Sequence, residues 1–108
     1  MAHYLLQVSY TSDAWVAQIK NPQDVMGRAR PLIEGLGGKI DTVYYAFGDY
    51  DLVGIMEMPD NVSAAAVSLA VSGGGATKTV KVTPLMTVEE GIEALKRAGG
   101  AGYQPPSA

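Results

Sequence analysis

Apolar and polar positions alternate from Tyr4 to Tyr10, with Tyr4, Leu6, Val8 and Tyr10 on one side and Leu5, Gln7 and Ser9 on the other. A period of two belongs to a strand with one buried face, so a first strand is predicted there. The period then changes. Thr11-Ser12-Asp13 supplies side-chain oxygens for the free amides of a helix start, and Trp15, Val16 and Ile19 follow at helical spacing up to Lys20. Asn21-Pro22 interrupts that helix, because proline lacks the amide donor and biases the residue before it away from helical geometry. From Asp24 to Leu36 the helical period resumes, with Val25, Met26, Ala29, Leu32, Ile33 and Leu36 as its apolar stripe. Pro31 lies inside that stripe and predicts a kink or a restart. Gly37-Gly38 ends the unit.

Lys39 to Phe47 and Asp51 to Met58 are two further runs rich in branched and aromatic residues, separated by Gly48-Asp49-Tyr50, and they predict an antiparallel hairpin. Pro59-Asp60-Asn61 stops the second run, and Asp60 or Asn61 can cap a helix over Val62 to Val71. After Gly73-Gly74-Gly75, Ala76 to Leu85 reads as a fourth strand, with Thr77, Thr79, Lys81 and Thr83 opposed to Val80 and Val82. Thr87 and Glu90 have the spacing of a capping box, and Val88, Ile92, Leu95 and Ala98 give the last helix its apolar side. The order is βαββαβ plus a C-terminal helix. It predicts one α+β domain over residues 1–98, with a ferredoxin-like four-stranded antiparallel sheet and its helices on one face. Residues 99–108, with Pro105-Pro106, read as a flexible tail.

On the uncovered sheet face this pattern puts Leu5, Gln7 and Ser9 beside Val53, Ile55 and Glu57, together with either Val43 and Tyr45 or Ile40 and Tyr44. Such a face is too apolar for water, and a second copy of the chain is the expected cover.

Composition narrows the chemistry. In 108 residues there are 8 Lys and Arg against 11 Asp and Glu, a formal charge of -3, so no basic field attracts nucleic acid. There is no cysteine and a single histidine, which rules out disulfides, thiolate nucleophiles and iron–sulfur clusters and makes a metal site or a resident cofactor unexpected. No stretch reaches the roughly 18 apolar residues that cross a bilayer. With no leader pattern at Met1-Ala2-His3-Tyr4, a cytoplasmic location is expected and membrane association is not.

Gly48-Asp49-Tyr50-Asp51, followed by an apolar strand and then Glu57-Met58-Pro59-Asp60, resembles the GYD-domain family. The opening strand ending near Tyr10-Thr11, the Gly37-Gly38-Lys39 entry to the second strand, Tyr44-Tyr45 and the Thr-rich fourth strand extend the resemblance from about Tyr4 to about Ile92. It departs at Pro84-Leu85-Met86, where the family more usually has a small residue and an aromatic one. The resemblance implies a ferredoxin-like domain of the dimeric α/β-barrel type, in a family whose members largely lack an assigned activity.

Several side chains are candidates for chemistry. Asp49 and Asp51 flank Tyr50 as a pair of carboxylates or hard-cation ligands, although Gly-Asp between two strands is ordinary turn chemistry and Asp51 can accept amides there. Glu57 sits in an apolar strand, with Lys81 on the fourth strand as an ion-pair partner. His3 is the one imidazole and the natural proton carrier near neutrality. Tyr4, Tyr10, Tyr44, Tyr45 and Tyr50 with Trp15 can line a pocket for a flat or apolar ligand, and His3 joins them as a candidate ligand-binding residue. Gly73-Gly74-Gly75 leads from helix to strand, the reverse of a phosphate loop, and no nucleophile elbow is present. The reading is a homo-oligomeric domain that binds a small molecule or a partner without catalytic machinery. The alternatives are a cofactor-independent oxygenase, isomerase or lyase, with tyrosines orienting the substrate and His3 or a buried carboxylate moving a proton, and a purely structural oligomerisation module.

Overall fold

The alternating run at the start of the chain forms β1 (Ala2–Tyr10), and its apolar side, Tyr4, Val8 and Tyr10, is buried. The computed structural model describes residues 1–107; Ala108, the last residue of the expected tail, lies outside them. After β1 come α1 (Ser12–Lys20), α2 (Met26–Gly35), β2 (Lys39–Tyr45), β3 (Leu52–Met58), α3 (Asn61–Gly73), β4 (Thr77–Leu85) and α4 (Val88–Gly99). The four strands make one antiparallel sheet in the order β2-β3-β1-β4, the α+β ferredoxin-like arrangement, and the sheet does not close on itself.

Local chemistry sets the helix starts. Thr11 caps α1 by accepting the Ala14 amide at 3.1 Å, and Asp60 caps α3 by accepting the Ser63 amide at 2.8 Å. At α4 the capping box is complete: Thr87 Oγ1 accepts from the Glu90 amide and Glu90 Oε1 accepts from the Thr87 amide. α2 runs through Pro31 as one helix. Its first amide-to-carbonyl bond of the α type is Ala29 to Val25, so Pro31 stands just beyond the first turn and deprives only Gly27 of its donor four residues on.

The core lies between the sheet and α2 and α3. Met56, Met58, Ile33 and Val67 are fully buried there, and Tyr4 joins them with its hydroxyl donating to Asn61 Oδ1 at 2.6 Å. A second cluster, Val8, Tyr10, Val25 and Leu52, continues the core toward α1. β3 shows the alternation most plainly, with Leu52, Gly54, Met56 and Met58 buried and Val53, Ile55 and Glu57 turned the other way.

One sequence expectation is corrected on β2. A register shift between Ile40 and Thr42 leaves Asp41 as an extra residue, so Ile40 pairs with Met56 on the helix side while Tyr44 pairs with Val53 on the open side. Val43 and Tyr45 pair with Gly54 and Leu52 and also face the helices. Strict alternation would have kept Ile40 and Tyr44 together; the bulge separates them. The open face therefore carries His3, Leu5, Gln7 and Ser9, Val53, Ile55 and Glu57, Lys39, Thr42 and Tyr44, and Thr79, Lys81, Thr83 and Leu85. No helix among the described residues is long and apolar enough to cross a membrane.

Candidate functional site

The turn after β2 is built around Asp51. Its carboxylate accepts the Tyr10 amide at 2.9 Å, its own amide donates to the Val8 carbonyl at 2.8 Å, and its carbonyl accepts from Ala46 at 2.8 Å. Asp51 thus ties the end of β1 to the β2–β3 connection, a longer reach than the turn-local role read from sequence. Gly48 and Asp49 are exposed and Tyr50 is half-buried beside them.

The aromatic residues do not gather in one place. Tyr10 and Trp15 stack edge to face with ring centroids 5.3 Å apart, and Tyr45 joins Trp15 in a shallow groove along α1 with Ile19 and Pro22. Tyr44, one residue from Tyr45, is on the opposite side of the sheet and 68% exposed. Tyr4 is a core residue at the far end of β1.

Tyr10 also borders a cavity of ≈ 260 Å³ between the sheet and the helices. Leu6, Val8 and Leu52 form its floor, Leu32, Val67 and Val71 its walls, and Arg28 and Thr77 bring polar groups to it. Burial holds the Tyr10 hydroxyl above its ordinary pKa, with the Arg28 guanidinium beside it offsetting part of that. The phenol, neutral at pH 7 even at its ordinary pKa near 10, stands next to a permanent cation. Arg28 also reaches Gln18 Oε1 at 3.4 Å. The sequence reading passed over Arg28, yet a signal was there: it stands three residues after Val25 and four before Leu32, on the flank of the apolar stripe.

His3, Asp41 and Glu57 meet at one corner of the open face. His3 Nε2 is 3.4 Å from Asp41 Oδ2 and 3.7 Å from Glu57 Oε1, and Lys39 Nζ is 3.9 Å from Glu57 Oε2. Their donor atoms lie within 4.8 Å of one another. Lys39 and the His3 imidazole face the two carboxylates in a half-exposed polar cluster. The partner of Glu57 is thus Lys39, directly across in register, rather than Lys81, which pairs in register with Gln7. The bulge that delivers Asp41 to this corner left no mark in the hydrophobic pattern. None of His3, Glu57 and Asp51 lines the cavity between sheet and helices.

Neither a curated protein nor a solved structure matches the chain. A family model, the GYD domain, matches residues 4–95, which take in β1 from Tyr4 onward, the other three strands, the Asp51 turn, the cavity and the greater part of α4, and leave out His3. Since that span is most of the 108 residues, the chain belongs to the GYD domain family.

Proposed function

We propose that this protein is a homodimeric small-molecule-binding domain, and that its ligand is a compact apolar molecule carrying one carboxylate. The observation that carries this reading is the ≈ 260 Å³ cavity, apolar on its floor and walls, with Arg28 and Tyr10 as its charged and hydroxyl groups. Its volume is a little under the roughly 300 Å³ where drug-sized sites begin, which suits a small acid better than a large cofactor. A guanidinium binds a carboxylate with two parallel hydrogen bonds, and the neutral Tyr10 phenol adds a third donor. The proton-moving candidates stand elsewhere, which favours binding over acid–base catalysis. Self-association is part of the same reading, since Leu5, Val53, Ile55 and Tyr44 form an apolar band on the open sheet face.

Trp15 is the one tryptophan and stacks on Tyr10, so its fluorescence reports on the cavity. Titration with short-chain and aromatic carboxylates is expected to give a saturable change, and the matched alcohols are expected to bind about tenfold more weakly, the difference of one charge-assisted hydrogen-bond pair. Arg28→Leu is expected to erase the preference for the acid. Equal affinity for acid and alcohol in the native protein, or no saturable response to either, would remove the reading.

A further inference from the structure

His3, Asp41 and Glu57 come from three neighbouring strands, β1, β2 and β3, and meet on the side of the sheet away from the cavity. Register accounts for part of this, since His3 lies directly opposite Glu57 and Glu57 opposite Lys39. Asp41 reaches the corner because the bulge between Ile40 and Thr42 leaves it unpaired, and re-aiming a side chain is what a bulge does in a sheet. One donor atom from each of the three residues lies within 4.8 Å of the other two. His3 Nε2 is 3.4 Å from Asp41 Oδ2 and 3.7 Å from Glu57 Oε1. Both separations exceed the roughly 2.7–3.2 Å of an ordinary hydrogen bond. They are close to the edge of a tetrahedron around an ion, because bonds of about 2.0–2.1 Å set neighbouring ligands about 3.4 Å apart. Charge points the same way. The two carboxylate side chains, 27% and 21% exposed, share one ammonium within 4 Å among the described residues, that of Lys39 at 3.9 Å from Glu57 Oε2. The Lys39 side chain is itself 68% exposed, and an exposed lysine contributes little to such a pair. A divalent ion would balance both carboxylates at once.

We infer that His3, Asp41 and Glu57 bind a divalent ion of the zinc type through one imidazole nitrogen and one oxygen from each carboxylate, with water completing the coordination. The donor set selects the class. An imidazole with two carboxylates suits zinc, whereas Mg²⁺ and Ca²⁺ are held by oxygen alone and Cu(I) asks for sulfur, which this set does not offer. Composition argued against a metal because the chain has a single histidine. The two carboxylates that complete the set are brought in by strand pairing and by the bulge, neither of which shows as ligand spacing in the sequence. Three protein ligands and an open position are the arrangement of zinc sites that keep an exchangeable water, in contrast to closed four-ligand structural sites. When the ion enters, Lys39 gives up its approach to Glu57 and turns its flexible stem to solvent. The site goes beyond the function proposed above and does not rest on it, since none of its residues lines the cavity that holds Arg28 and Tyr10.

One histidine and no cysteine make the test direct. The full chain, stripped of metal with a chelator, is titrated with zinc chloride at neutral pH and followed by calorimetry and by the NMR signal of its single imidazole. The expected result is one ion per chain, with an imidazole shift that saturates at one equivalent and that magnesium chloride does not produce. His3→Ala, Asp41→Asn and Glu57→Gln are each expected to weaken zinc binding at least about tenfold, the loss seen even for groups that only support a metal ligand. Asp13→Asn, on the exposed side of α1, is expected to leave it unchanged. The Asn and Gln variants keep the shape of the carboxylates they replace, and circular dichroism of each variant against the native protein establishes that it is folded. The absence of a saturable shift with zinc overturns the site. So does a loss on His3→Ala alone, with Asp41→Asn and Glu57→Gln binding at native strength, because the ion would then be held without the carboxylates. Either failure leaves the Trp15 response to carboxylates, and with it the cavity reading, as it stands.

Discussion

Glycine 38 shows what one missing side chain permits. A Cβ built there would meet the Met58 sulfur and would lie 2.6 Å from the Glu57 carbonyl oxygen, closer than such atoms approach. The sequence marked Gly37-Gly38 as a helix end, and half of that is so: Gly37 has φ +85, the left-handed conformation glycine adopts freely. Gly38 serves a different purpose, letting the entry to β2 run against the end of β3, and no local signal separates the two roles. Gly38→Ala is expected to lower stability by about 1–3 kcal/mol through overpacking, read as a lower urea midpoint at unchanged slope. Gly37→Ala should cost less in steric terms, its nearest contact being Pro59 Cγ at 3.4 Å, and act through backbone strain instead. The tyrosines make the same point about legibility. Strand alternation already said that Tyr44 and Tyr45 point opposite ways, so a single pocket holding both was more than the pattern allowed. Arg28 was readable from its place on the stripe, whereas the juxtaposition of Asp41 with His3 and Glu57 depends on a bulge that a two-residue period cannot encode.

At the level of elements, nearly everything was written locally. The eight helices and strands follow from periodicity and caps, and the observed ends differ by a residue or two where fraying makes any boundary soft. Pro31 is the exception, because the cost of an internal proline depends on how far it stands from the first turn, and the helix starts at Met26, whose amide the Asp24 carboxylate accepts, rather than at Asp24 itself. The caps also carry a pH dependence. Asp60 has its pKa lowered, first by the Ser63 backbone amide that its carboxylate accepts. A depressed folded-state pKa means the stabilising contribution is present above the unfolded value near 3.8 and is lost as pH falls through the folded one. Between pH 7 and pH 5, Asp60→Ala is therefore expected to melt at a lower temperature than the native protein, and the gap should narrow below pH 4 as the native carboxylate protonates. Asp60→Asn keeps an acceptor for the same amide and should melt close to the native protein at neutral pH, with a weaker acid dependence. An equal gap at every pH would separate the capping oxygen's role from its charge.

For the whole molecule the governing fact is that apolar surface remains on several elements after the chain has folded. The core between the sheet and α2 and α3 buries Ile33, Met56, Met58 and Val67, whereas the band of Leu5, Val53 and Ile55 and the stripe of Val88, Ile92 and Leu95 lie outside it. A sequence shows that both are apolar, and the first was read as an interface from the pattern alone. It does not show that α4 stands away from the body, because the two residues between β4 and α4, Met86 and Thr87, permit either a fold-back or a projection. If the band meets a second copy, folding and association are one equilibrium, and stability depends on how much protein is present. The melting temperature is then expected to rise by a few degrees over a hundredfold increase in concentration, since mass action adds about 2.7 kcal/mol for each factor of a hundred. Ile55→Asp, which sets a charge in the centre of the band, should abolish that dependence and yield a monomer. Because Ile55 faces away from the core, the variant should keep its sheet and helix signal by circular dichroism and its Trp15 response to carboxylates. A melting temperature independent of concentration in the native chain would mean that the band stays in water, and the dimeric reading would fall with it.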